Sequence, residues 1–72
     1  MVNLAITYNG ECIKFKSYPH SNLGGMFRIF KLHTQVAVAV KFFFNGLEVQ
    51  DTDTFLSLTM EDGALIDCVD SL

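Results

Sequence analysis

The sequence has no tryptophan, one proline and two cysteines, and no apolar run in it approaches the roughly 18–20 residues of a membrane-spanning helix. A role inside a bilayer is therefore not expected. Cys12 and Cys68 are too few for the disulfide-dense framework of a small secreted scaffold, so reduced thiols are expected. Met1 to Leu4 lacks the basic stretch of a secretory signal, which points to a nuclear or cytoplasmic protein. Cys12, Cys68, His20 and His33 include no two at metal-ligand spacing, and no Cys–His pair, phosphate loop or paired-carboxylate constellation is present. No metal, no cofactor and no catalytic activity are expected. At 72 residues the chain is also shorter than a typical domain of roughly 100–150, leaving few walls for a catalytic cleft.

Positive charge is scarce and stops early. All five basic residues (Lys14, Lys16, Arg28, Lys31, Lys41) fall in the first 41 positions, whereas seven of the eight acids lie from Glu48 onward. A net charge of −3 argues against nucleic-acid binding. The segregation predicts two oppositely charged surfaces that steer protein partners. What the chain does have is apolar material: half its residues are hydrophobic, with seven Phe and two Tyr, enough for one packed core over residues 1–72. No internal repeat, low-complexity tract or linker interrupts it.

Val2, Leu4, Ile6 and Tyr8 alternate with small or polar residues, the period of a strand with one buried face. Asn9-Gly10 then signals a hairpin turn into a second alternating run, Cys12 to Lys16. Pro19 to Asn22 breaks the pattern and offers N-caps, and from Leu23 the apolar residues Met26, Phe27, Phe30 and Leu32 recur at spacings of three and four. A helix of about ten to thirteen residues is predicted there, with a frayed start because Gly24-Gly25 falls in its first turn. Val36 to Phe44 reads as a third strand, Asn45-Gly46 as a turn, and Leu47 to Val49 as a fourth strand. Asp51 to Thr54 reads as a loop capping one short helical turn, Phe55 to Leu58, and Glu61-Asp62-Gly63 turns the chain into a last strand, Ala64 to Val69. The order ββαββ, short helical turn, β predicts an α+β fold, the β-grasp, in which a mixed five-stranded sheet packs on one helix. In it the first and last strands are central and parallel, and the second is an exposed edge. Cys12 and Cys68 then lie two strands apart, roughly 9–10 Å, too far for a disulfide.

On these residues the sequence resembles ubiquitin-like domains, and specifically their SUMO branch. Ile13-Lys14-Phe15-Lys16 is similar to the I-x-F-K stretch of SUMO proteins, Phe42-Phe43-Phe44-Asn45-Gly46 to their F-x-F-x-G, Asp51 to Thr54 to a D-x-x-T loop, and Leu58-Thr59-Met60-Glu61 to an acidic L-x-M-E stretch. These run in the same order and nearly the same spacing across the whole chain. Modifiers of this family end in a Gly-Gly tail, whereas this chain reads Asp70-Ser71-Leu72 past its last strand. The resemblance therefore implies a non-conjugated SUMO-like domain of the kind built into larger scaffold proteins, binding non-covalently. A SUMO-type modifier whose Gly-Gly tail lies outside this chain, and a β-grasp self-association module, are the alternatives.

Three candidate sites follow. The resemblance implies that the SUMO-conjugating E2 enzyme docks on a face built by Asn45, Gly46, Glu61, Asp62, Gly63 and Asp67, whose acids complement its basic surface; Ala64 stands where SUMO commonly has another acid. It also implies a groove between the second strand and the helix, using Ile13, Lys14, Phe15, Lys16, Met26 and Phe30, that takes a hydrophobic-acidic SUMO-interacting peptide as an added strand. Gly25 replaces a usual helix lysine of that groove, and Ser17 an apolar residue. Alternation alone gives the third site. If Phe42 and Phe44 face the helix, Phe43 faces out near Val69, an apolar patch suited to binding or weak self-association of an otherwise monomeric domain.

Overall fold

The computed structural model describes residues 1–35 and 39–71. Its elements are β1 (Val2–Tyr8), β2 (Glu11–Ser17), α1 (Leu23–Thr34), β3 (Val40–Phe44), β4 (Leu47–Val49) and β5 (Ala64–Asp70). The sheet order is β2-β1-β5-β3-β4, with β1 and β5 parallel and the other neighbours antiparallel. This is the expected arrangement, with β1 and β5 at the centre and β2 and β4 at the edges. The first part of the predicted third strand, positions 36–38, lies outside the described residues; within them β3 begins at Val40.

Both hairpins turn where the sequence placed them. Asn9 and Gly10 have φ of 52° and 79°, and Asn45 and Gly46 have 52° and 81°, the two successive positive φ values of a tight hairpin turn that Asn and Gly tolerate. The turns fix the register, and the register fixes the faces. Leu4 and Ile6 of β1, Phe42 of β3, Val49 of β4 and Ile66 and Cys68 of β5 are buried on one side of the sheet, under Leu23, Met26, Phe27 and Phe30 of α1. The rings interlock there: Phe27 stacks on Phe42 with centroids 3.8 Å apart, and Phe30 meets Phe42 edge-on at 5.8 Å. The other face, carrying Ala5, Lys14, Leu65, Asp67, Lys41 and Phe43, has no covering layer among the described residues.

The start of α1 departs from expectation. It is regular from Leu23, and Asn22 makes no side-chain cap. Main-chain carbonyls of a distant loop replace it: Leu23 N–H donates to the Asp53 carbonyl at 2.8 Å, and Gly24 N–H to that of Asp51 at 3.0 Å. The loop comes so close that a β-carbon on Gly24 would lie 2.8 Å from Asp51 Cβ, so glycine is required there by proximity, and the helix is regular from its first residue. Gly25, by contrast, faces open space. Leu32 is a second departure: its spacing fits the apolar series, yet its side chain points to solvent.

Thr54 caps the short turn as anticipated, reciprocally with Ser57. Ser57 N–H donates to Thr54 Oγ1 at 3.0 Å, and Thr54 N–H to Ser57 Oγ at 2.8 Å. Only one hydrogen-bonded turn results, because Thr59 takes a left-handed φ of 54° and Met60 N–H closes back on the Phe55 carbonyl at 3.1 Å. That turn plugs the end of the core with Phe55 and Met60.

Candidate functional site

The hairpin turn at Asn45 and the turn at Glu61, remote in sequence, meet at one end of the sheet. Phe44, Asn45, Thr59, Glu61 and Ala64 line a shallow cleft of about 280 Å³. Asn45, Gly46 and Glu61 are exposed beside it. The other two acids predicted for this face have a different part. Asp62 Oδ1 accepts the Asn3 main-chain N–H at 2.7 Å and Oδ2 accepts Asn3 Nδ2 at 3.3 Å, while Gly63 N–H donates to the Asn3 carbonyl at 2.7 Å. Asp62 thus clamps the turn to the start of β1. Asp67 lies away from the cleft, on the uncovered face of the sheet opposite Phe43, and accepts the Thr7 hydroxyl at 2.8 Å. Three of the seven acids from Glu48 onward, all exposed, thus also fasten the last strand and the turn before it to β1, since Asp70 accepts the Tyr8 hydroxyl at 2.8 Å.

The main-chain N–H of Asn3, and then its side-chain amide, hold the Asp62 carboxyl below the usual carboxylate range. A carboxyl depressed on folding stabilises above its unfolded pKa of about 3.9, and that contribution disappears as pH falls through the lower folded value. Asp62→Asn is therefore expected to lower the melting temperature at pH 7 and to leave it nearly unchanged near pH 2. Calorimetric scans at the two pH values check this; an equal loss at both would mean that the charge of Asp62 is immaterial.

The second predicted site divides between two faces and the interior. Ile13 and Phe15 are half-buried on the helix side, with Phe15 edge-on to Phe30 at 6.3 Å. Met26 and Phe30 are core residues, Phe30 with no exposed surface, and so are not available to a peptide as contacts. Lys14 and Lys16 project from the opposite, uncovered face, because strand alternation cannot put them beside Ile13 and Phe15. Lys14 there lines a different cleft with Asn3, Ala5 and Asp62. The opening that does exist between β2 and α1 measures about 460 Å³ and is lined by Tyr8, Asn9, Glu11, Ile13, His33 and Thr34. Of these, only Ile13 was predicted. Alternation puts Tyr8 and Glu11 on the side of Ile13, but no local signal in the sequence brings His33 and Thr34 to them.

Phe43 and Val69 share the uncovered face, as alternation requires, and stand diagonally across the β3–β5 pair rather than directly opposite each other. Phe43 is half-buried and sits directly between Asp67 of β5 and Glu48 of β4, whereas Val69 faces Lys41. Leu65, not predicted, is the larger apolar exposure of this face at 49%, against 44% for Val69.

Both thiols are free, Cys12 exposed and Cys68 buried. Burial, and then the negative charge of Asp70, push the Cys68 thiol up to about 11, so it is protonated at neutral pH. Among the described residues no group of His, Cys, Asp and Glu could hold a metal ion, and no helix is long and apolar enough to cross a membrane.

No protein-family model matches the sequence, and no curated protein matches it either. Solved structures do match. The crystal structure of ATBAG1 in complex with HSP70 superposes with a TM-score of 0.83 at 12% identity, over 97% of this chain and 40% of that one. This chain thus spans less than half the length of that neighbour, and at such identity the likeness is one of fold. Sheet order, helix placement and this superposition agree: the chain has the β-grasp fold of ubiquitin-like domains.

Proposed function

We propose that the domain is a non-catalytic protein-interaction module, a SUMO-like domain that acts in the nucleus or cytoplasm by docking the SUMO-conjugating E2 enzyme at the Asn45 and Glu61 turns. The meeting of these two turns around one cleft carries the reading. They are the two segments through which the resembled family would bind that enzyme, and Glu61 supplies an exposed carboxylate for a basic surface. Gly46, whose added β-carbon would meet nothing within 4 Å, leaves room for a partner backbone. That the ATBAG1 structure is of a protein in complex with HSP70 accords with an interaction role for this fold.

The test is an NMR titration of the labelled domain with unlabelled E2 enzyme. Amide shifts confined to Asn45, Gly46 and Glu61 to Ala64 are expected. Glu61→Lys should weaken binding about tenfold, near 1.4 kcal/mol, with the fold intact because Glu61 is exposed. No shifts at several hundred micromolar enzyme would rule the docking out.

A second reading rests on the seven-residue edge β2 beside the 460 Å³ opening. An extended hydrophobic-acidic peptide could add to that edge as a sixth strand, with Lys14 and Lys16 on its uncovered-face side. Shifts confined to Ile13 to Ser17 on adding such a peptide would distinguish it from E2 docking.

A further inference from the structure

The outward face of α1 is a surface that neither reading uses. Gly25, Ile29 and Leu32 are spaced by four and three and so form one line along the helix, about 10 Å long at 1.5 Å per residue. Ile29 is 61% exposed and Leu32 74%, although their neighbours Met26, Phe27 and Phe30 bury the opposite side. Gly25 stands at the end of this line with no internal reason to be glycine. A β-carbon there would meet nothing within 4 Å, whereas its neighbour Gly24 is pinned against Asp51. The fold thus carries a helix-weakening residue and two solvated aliphatic side chains on a single stripe, with a notch at Gly25 where no side chain projects.

Charge selects what fits. The helix sequence, Leu23 to Thr34, contains Arg28, Lys31 and His33 and no acid. Arg28 is exposed next to the stripe. A second copy packed helix to helix would set basic residue against basic residue, so the isologous dimer is disfavoured. We propose that the outer face of α1 docks an acidic amphipathic helix of a partner protein. Its leucines would lie along Ile29 and Leu32, one side chain would enter the Gly25 notch, and flanking carboxylates would meet Arg28. Side chains spaced by three and four along a helix form the kind of ridge that packs into the groove of a second helix.

The probe is a synthetic helical peptide with leucines at i, i+4 and i+7 flanked by glutamates, titrated into the labelled domain. The result expected is a set of amide shifts confined to Gly25, Arg28, Ile29 and Leu32, weakened severalfold by raising ionic strength and absent for a peptide with lysines in place of the glutamates. Leu32→Ser should reduce the affinity at least fivefold. Gly25→Ala is the discriminating variant: it should raise the melting temperature of the domain and yet weaken the peptide at least fivefold by filling the notch. Shifts at Ile13 to Ser17 or at Asn45 and Glu61 would overturn the proposal, as would the absence of shifts at Gly25, Arg28, Ile29 and Leu32 at millimolar peptide or an unchanged affinity in Gly25→Ala. Sedimentation showing a dimer that Leu32→Ser dissociates would assign the face to a second copy and overturn it equally.

Discussion

Phe30→Ala is expected to remove most of the stability of the domain. Phe30 has no exposed surface and is the ring on which three others converge edge-on: Tyr8 at 6.1 Å, Phe15 at 6.3 Å and Phe42 at 5.8 Å. These belong to β1, β2 and β3, so a single side chain ties the helix to three strands. Truncating a buried Phe costs about 3–5 kcal/mol, from lost transfer free energy and the cavity left behind. Edge-on aromatic pairs add about 0.5–1.5 kcal/mol beyond area. Against this stands the whole stability of a chain of 72 residues, on the order of 4–11 kcal/mol at typical values per residue. Little or none of the folded state survives such a loss at the lower end of that range. Phe30→Leu, which keeps most of the volume, should lower the denaturation midpoint and preserve a cooperative transition. Urea unfolding followed by far-ultraviolet circular dichroism distinguishes them. If the alanine variant melts within a few degrees of the parent, the four-ring cluster is not the keystone of the core.

The same residues show why part of this molecule was legible in its sequence. Leu4, Ile6, Phe42 and Ile66 follow a period of two, and Asn9-Gly10 and Asn45-Gly46 sit where two positive φ values are needed; both signals are local, and among the described residues both led to the right turns and to every strand, the third starting at Val40. The helix was legible from Met26, Phe27 and Phe30, but its outer face was not, because a spacing of three and four accepts Leu32 without revealing that it lies beyond the buried arc. What the sequence concealed involves pairs far apart along it. Asp62 reaches Asn3, Asp67 reaches Thr7 and Asp70 reaches Tyr8, all across the parallel β1–β5 junction. Read in isolation these are an acidic tract; in the fold they are three cross-strand fastenings, and Glu61 is left as the acid on the cleft. The same holds for the candidate sites. Alternation placed Lys14 and Ile13 on opposite faces, so a groove that needs both must draw its charge from around the strand edge, and its far wall, His33 and Thr34, could not be found without the helix in place.

Gly24 and Gly25 are alike in sequence, both glycines in the first turn of α1, but their surroundings in the fold differ. Each glycine in a helix costs up to about 1 kcal/mol relative to alanine. At position 25 nothing opposes that gain, since the new methyl group meets only solvent, and Gly25→Ala should raise the melting temperature by about 4–8 °C at most for a domain of this size. At position 24 the β-carbon would fall 2.8 Å from Asp51 Cβ, 3.0 Å from its carbonyl oxygen and 3.2 Å from its Cα. None of these is the far end of a flexible side chain. The same carbonyl accepts the Gly24 N–H, so the methyl group can be relieved only by moving the loop that caps the helix, which also strains the Leu23 to Asp53 bond. Overpacking of this kind costs typically about 1–3 kcal/mol, and a backbone bond loosened at the helix start adds about 1 more. These terms exceed the propensity gain, so Gly24→Ala should lower the melting temperature by about 5–15 °C. Two identical substitutions at adjacent positions should thus move stability in opposite directions. Parallel thermal melts decide it: a rise for both would show that the 51–53 loop yields without cost, and the backbone clamp on α1 would then have no energetic weight.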